Sequence, residues 1–278
     1  MTDFYAVIGN PVAHSKSPLI HAEFARQTGQ DIHYEAILAP TDAFAATIAG
    51  FRARGGKGVN VTVPFKLEAC GISTRLTERA EAAGAANTLA FDDSGIFGDN
   101  TDGAGLLRDI VTNLKFSLAG RQVLLMGAGG AARGVVLPLL EHKPYLLTVA
   151  NRTRQKADTL QQLFTRHGNI VSADYDDLNE TKFDLVINAT SASLDGKLPA
   201  LPSGIFSSES LAYDMMYGNG YTPFLQFAKQ QGAGHLADGI GMLVEQAAES
   251  FFLWRGLRPR TEPVIEMLRS HGRDKLKI

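Results

Sequence analysis

Two side chains in the amino-terminal part of the chain could together move a proton. Lys66 stands in "NVTVPFK" and Asp102 in "GDNTDG". Reducing a ketone requires a proton donor beside the developing alkoxide, and a lysine coupled to an aspartate can serve if burial tunes its pKa. Each also has a plain reading: Lys66 as a surface lysine, Asp102 as the N-cap of the helix "GAGLLRDIV". Further polar side chains stand at strand ends nearby: Thr62 ahead of Lys66, Asn87 in "AANTL", and Asn100 and Thr101 beside Asp102. In "HSKSP", Ser17 suits an N-cap with Pro18 at N1, and Ser15 and Ser17 could equally hold a ligand. In α/β sheets ligands bind outside the carboxyl ends of the strands, where Ser15, Thr62 and Lys66 fall. The three could therefore share one crevice.

A second constellation is "VLLMGAGGAARGVV", which sets Gly127, Gly129 and Ala132 in G-x-G-x-x-A register between an apolar strand and a helix. The first glycine permits the tight turn, and the second lets backbone approach a pyrophosphate at the positive end of the helix. The next strand, "YLLTVA", ends at Asn151, 24 residues past Gly127, near the spacing at which such folds read the ribose. An acidic residue there would favour NAD. The sequence instead has "NRTRQK", with Arg152, Thr153, Arg154 and Lys156. Guanidinium groups suit a phosphate, and basic residues in a first helical turn oppose the dipole unless an anion compensates them, so the expected cofactor is NADP.

The elements that must hold these groups alternate. "FYAVIG", "IHYEAIL" and "GVNVTV" are each followed by a helical pattern, and "ANTLAF" and "GIFGDNT" lead into the helix "GLLRDIVTNL". A second α/β series begins at "QVLLMG" and runs through "YLLTVA", "KADTLQQLFTRH" and "DLVINAT". This indicates an α/β chain of two domains, each with a mostly parallel sheet, the second of Rossmann type, with a boundary near Asp102. The last helices, "GMLVEQAAESFFLWRG" and "EPVIEMLRS", are amphipathic and could pack on either domain.

Composition narrows the function classes. The 278 residues include 45% hydrophobic ones, enough for a substantial core, and carry a net charge of −2 with no long run of one sign. No nucleic-acid or membrane surface is expected, no stretch reaches the length of a membrane span, and no leader pattern opens the chain, so a cytoplasmic location is expected. The single cysteine, Cys70, excludes an intrachain disulfide and reads as a small buried hydrophobe. Histidines show no metal-ligand spacing; His14 reads as a turn residue and His21 as a core one, and no metal is expected.

The ordered set "GNPVAHSKSP", "GVNVTVPFK", "GAANTL", "GDNTDG", "GAGGAAR", "NRT", "INATS" and "DGIGMLVEQA" resembles the shikimate dehydrogenase family, from about Ala6 to about Trp254. The resemblance implies reversible NADPH-dependent reduction of 3-dehydroshikimate to shikimate, a step of aromatic amino-acid biosynthesis. It implies a substrate domain, 1–102 with 238–278, and an NADP domain, 103–237, facing each other across a cleft, in a monomer or homodimer. Carried over by motif, Ser15 and Ser17 would hold the substrate carboxylate; Thr62, Asn87, Asp102, Tyr217 and Gln246 would complete the pocket, and Lys66 with Asp102 would be catalytic. On the cofactor side it points to Gly127, Ala128, Gly129, Gly130 and Ala131 for the pyrophosphate, and to Asn151, Arg152, Thr153, Arg154, Gln155 and Lys156 for the 2′-phosphate. Met215 and Gly239 would lie by the nicotinamide, with Glu78 at a further cofactor-side position. One departure is a serine, Ser193, where the family pattern has a glycine. Two other readings stand beside this one: a quinate/shikimate dehydrogenase that uses NAD and oxidises quinate as well, against which the basic loop argues, and a non-catalytic nucleotide sensor, against which Lys66 and Asp102 argue together.

Overall fold

Strands form where short apolar runs end in turns, and the computed structural model places them in two separate sheets. It describes residues 2–179, 181–190, 201–218 and 220–274, with side chains to 270. The expectation for Ser193 lies outside the described residues. Two compact units are formed, Met1–Gly105 with Leu243–Glu266, and Leu106–Met242 with Met267–Ile278.

In the first unit, β1 (Asp3–Gly9), α1 (Ser17–Thr28), β2 (Ile32–Leu38), α2 (Phe44–Ala53), β3 (Gly56–Val61) and α3 (Lys66–Ile72) alternate as their patterns indicate. Then come β4 (Arg75–Leu76), α4 (Glu78–Ala83), the strands β5 (Thr88–Asp92) and β6 (Gly95–Asp99), and α5 (Asp102–Arg108). The sheet order is β2-β1-β3-β5-β6-β4. β1 lies parallel to β2 and β3, whereas β5 runs antiparallel to β3 and β6. The reversal has a local cause. The Asp92 carboxylate accepts from both the N–H and the hydroxyl of Ser94, and Gly95 takes a φ of 127° that favours glycine. Ile8, Phe44, Ile48, Phe51, Val59, Phe65 and Leu89 form the core on one face, with Cys70 half-buried at its edge.

The second unit holds β7 (Gln122–Met126), α6 (Gly130–Glu141), β8 (Leu146–Ala150), α7 (Arg154–Phe164), β9 (Ile170–Ala173), β10 (Leu185–Asn188), β11 (Leu211–Asp214), α8 (Pro223–Gln230) and β12 (His235–Ala237). Their order is β12-β11-β10-β7-β8-β9, and every neighbouring pair is parallel. This is the doubly wound order of the Rossmann fold. β10 and β11 are buried along their whole length, as strands with both faces covered must be. The chain closes with α9 (Ile240–Arg255) and α10 (Glu262–Asp274); most of α9 and the first turn of α10 belong to the first unit. Among the described residues no helix is long and apolar enough to cross a membrane.

Candidate active site

Three strand ends of the first unit are tied together by two backbone hydrogen bonds and one from the Asn10 side chain. Thr62 donates its N–H to Ile8 (2.9 Å), Asn10 donates its N–H to Val63 (3.0 Å), and the Asn10 amide donates to Ala39 (2.9 Å). Only glycine permits this closeness at the end of β1, because a Cβ on Gly9 would stand 2.3 Å from the Thr62 methyl. Ser15 is half-buried in the loop that follows, and its oxygen accepts the Ser17 N–H at 3.2 Å. The helix start differs from expectation by one residue. Lys16 is the N-cap, Ser17 is the first helical residue, and the capping oxygen is that of Ser15. Ser17 itself is buried.

Lys66 opens α3 and Asp102 opens α5, and Nζ of the lysine lies 2.5 Å from Oδ2 of the aspartate. Asp102 is therefore not capping its helix with its carboxylate; the N–H of Asp102 is accepted by Asn100 instead. The other carboxylate oxygen accepts from Asn87 at 2.8 Å, and the Asn87 amide also reaches Gln246 on α9 at 3.3 Å. Gly105 lets α5 lie against α9, since a Cβ there would be 2.6 Å from the Gln246 backbone nitrogen.

Behind these groups runs a buried polar chain that sequence patterning did not reveal. The Asn87 side-chain oxygen, Oδ1, accepts from the N–H of Thr101 and the hydroxyl of Thr88. Thr88 meets Ser250 at 2.8 Å, Asn60 donates to Ser250 at 2.8 Å, and Tyr34 donates to Asn60 at 2.8 Å. Hydrogen bonds thus connect Tyr34 to Lys66 without a break. The only signal in the sequence was a polar residue within an apolar strand, as in "GVNVTV". His21 packs on this chain, stacked on Tyr34 with ring centroids 4.2 Å apart. It is fully buried, and although Asn60 is near enough to act on the ring, neither nitrogen has a hydrogen bond of ordinary geometry. Burial lowers its pKa to about 3, so it is neutral at physiological pH.

The second unit presents donors differently. Gly127, at a φ of 103°, makes the turn after β7 and gives its N–H to Ala150. Ala128 is half-buried; Gly129, Gly130 and Ala131 are exposed where α6 begins. A Cβ built on Gly129 or Gly130 meets nothing within 4 Å. Internal packing does not require glycine there, whereas close approach of a pyrophosphate to the helix N-terminus does, so these residues fit the expected dinucleotide. Beyond β8, Asn151 donates to the Thr153 carbonyl, and Arg152, Thr153, Gln155 and Lys156 are exposed. Arg154 is held by Asp158, Asp174 and Asp177. Met215 and Gly239 stand against each other, for a Cβ on Gly239 would stand 2.2 Å from the Met215 carbonyl oxygen. Tyr217 is half-buried in this unit, after β11. Glu78 is exposed in the first unit, at the start of α4. Among the described residues no cluster of His, Cys, Asp and Glu is placed to hold a metal.

The chain matches the family models described as the shikimate dehydrogenase substrate binding domain (residues 7–89), shikimate/quinate 5-dehydrogenase (109–195) and the shikimate 5′-dehydrogenase C-terminal domain (239–269). It is 73% identical over 270 residues to the shikimate dehydrogenase (NADP(+)) of Nitrosospira multiformis, covering 97% of this chain and 98% of that one. The chain belongs to the shikimate dehydrogenase family. Among solved structures it is similar to an Ael1 enzyme of Pseudomonas putida, with a TM-score of 0.92, 51% identity and coverage of 96% of this chain and 98% of that one. It is also similar to the shikimate 5-dehydrogenase of Thermus thermophilus in complex with NADP(H) and shikimate, with a TM-score of 0.86, 33% identity and coverage of 96% and 99%. Of the positions that the shikimate dehydrogenase motifs pick out, the first unit gathers Lys66, Asn87, Asp102 and Gln246 into one bonded group. The second unit carries the glycine turn, the basic loop, the Met215–Gly239 contact and Tyr217.

Proposed function

We propose that this chain is an NADP-dependent shikimate dehydrogenase that interconverts 3-dehydroshikimate and shikimate in aromatic amino-acid biosynthesis. The observation that carries the assignment of roles is the Lys66–Asp102 pair, half-sheltered and steadied by Asn87. Bound NADPH supplies the hydride that adds to the carbonyl carbon. Lys66 gives the proton to the carbonyl oxygen on reduction and takes it back on oxidation, while Asp102 holds the ammonium in place and offers its second oxygen to a substrate hydroxyl. Asn87, Thr62, Gln246 and Tyr217 read the remaining hydroxyls, each offering a donor, an acceptor or both. Ser15 and Ser17 hold the carboxylate at the start of α1, Ser15 through a hydroxyl whose oxygen takes the Ser17 N–H and whose proton remains to donate.

On the cofactor side, Gly127 to Ala131 would cradle the pyrophosphate and the Asn151 to Lys156 loop the 2′-phosphate. Met215 and Gly239 would flank the nicotinamide, with Glu78 a further contact. Residues 1–102 with 238–278 then form the substrate-holding part and 103–237 the cofactor-holding part. The enzyme works in the cytoplasm as a monomer or homodimer, with no nucleic-acid or membrane partner.

The test mixes the protein with shikimate and NADP, and separately with quinate and NAD, and follows reduced nicotinamide. Turnover confined to the first mixture is expected. Turnover with quinate and NAD at a comparable rate would make it a broader enzyme, and none in either would leave only nucleotide binding.

A further inference from the structure

Among the described residues, Arg154 is the member of the basic loop whose charge is already paired. Its Nη1 lies 2.5 Å from Asp177 and 3.7 Å from Asp174, and its Nε lies 3.2 Å from Asp158. Two of these carboxylates are anchored by further bonds. Asp158 accepts from the Ser172 hydroxyl at 2.5 Å, and Asp177 accepts the Asp174 N–H at 3.1 Å. They also stand beside the loop, because β8 and β9 run parallel with Ala150 opposite Ala173, so Asn151 and Asp174 leave adjacent strands together. The Asn151 N–H reaches the Ala173 carbonyl at 3.4 Å. Arg152 and Lys156 are exposed, and among the described residues the ion pairs of this loop are those of Arg154.

We propose that Arg154 sets cofactor preference without being the main phosphate ligand: it cancels Asp158, Asp174 and Asp177, so that Arg152 and Lys156 can hold a 2′-phosphate beside them. This rests on the proposed reading that the loop receives NADP. Without Arg154, three uncovered carboxylates would repel a phosphate of charge near −2, at separations well inside a Debye length of about 10 Å at 0.1 M salt. The same carboxylates would tolerate the ribose 2′-hydroxyl of NAD, which acidic side chains at this point of a Rossmann fold can accept. Removing Arg154 therefore costs the two cofactors unequally.

The measurement is the ratio of kcat/KM for NADP to that for NAD, at low ionic strength, in wild type, Arg154→Gln, the triple variant Arg154→Gln/Asp174→Asn/Asp177→Asn, and Arg152→Ala. Arg154→Gln should lower the ratio about tenfold, and the triple variant should return it to within about twofold of wild type. Being a ratio over one folded population, it is insensitive to partial loss of fold. A direct phosphate ligand, or a mere clasp between α7 and β9, would leave the triple variant as poor as Arg154→Gln, and that result overturns the proposal, as does an unchanged ratio in Arg154→Gln. Arg152→Ala separates the two levels. A fall there with no change in Arg154→Gln sinks this inference alone, whereas no change in either sinks the placement of the phosphate.

Discussion

The two candidate sites differ in where their polar groups are spent. In the first unit a run of polar side chains is bonded one to the next: Lys66 to Asp102, Asp102 to Asn87, and on through Thr88, Ser250 and Asn60 to Tyr34. In the second unit Gly129, Gly130 and most of the basic loop face open space, and among the described residues the loop's ion pairs are those of Arg154. A small polyol is read by groups fixed in advance, which lowers the ordering cost at binding. A dinucleotide is read by backbone N–H groups and long cations that need room around them. Preorganisation and vacancy are two ways to build a site, and each has its own weak point.

Substitutions expose those weak points in order of size. Lys66→Ala should lower kcat by roughly a thousandfold and change KM for shikimate little, since proton transfer matters chiefly in the transition state; steady-state kinetics reads both. A large KM change with kcat preserved would make Lys66 a binding residue. Asn60→Leu fills similar space but strands Tyr34, Thr88 and Ser250, so it should cost about 3 kcal/mol of stability in urea unfolding. KM for shikimate should rise in that variant while KM for NADP holds. Gly129→Val should do the reverse. Gly129 has an extended backbone, φ −85° and ψ −171°, and open surroundings, so the thermal midpoint should hold while KM for NADP rises about tenfold or more.

The smallest effect concerns His21. Its folded pKa of about 3 lies below the ordinary 6.5, so between these values the unfolded chain binds the extra proton. Stability therefore falls as pH drops through that window. His21→Phe removes this proton from the balance, and its unfolding midpoint should decline less steeply between pH 6.5 and 4 than that of wild type. Equal slopes would mean that the ring does not titrate on unfolding.

Much of the fold is legible in the chain because strands such as "IHYEAIL" and "QVLLMG" are apolar, bounded and followed by helical patterns. β9, β11 and β12 escape that reading. They have four, four and three residues, too short for a period to declare itself, and they exist because neighbouring strands present open edges. The antiparallel turn of β5 and β6 was written in "DDSG" but competes with the βα rhythm around it. Lys66 and Asp102 are visible as types at strand ends, yet nothing in their 36-residue separation gives the contact between them. Asn60, Thr88 and Ser250 are hidden because a buried hydrogen-bonded side chain within an apolar run looks like an interruption until its partners, brought from far along the chain, are in place.

The open space above Gly129 and Gly130 has a consequence for anyone improving this protein by selection for heat resistance. Alanine at Gly130, the first residue of α6, meets no neighbour and removes freedom from the unfolded chain, a gain of about 0.4–1 kcal/mol. A screen that scores only survival on heating would enrich that variant. It would also place a methyl group where a pyrophosphate must come close, so the selected protein would be sturdier and catalytically poor. Where packing is indifferent to a residue and function is not, stability and activity part company, and both must be measured at every round.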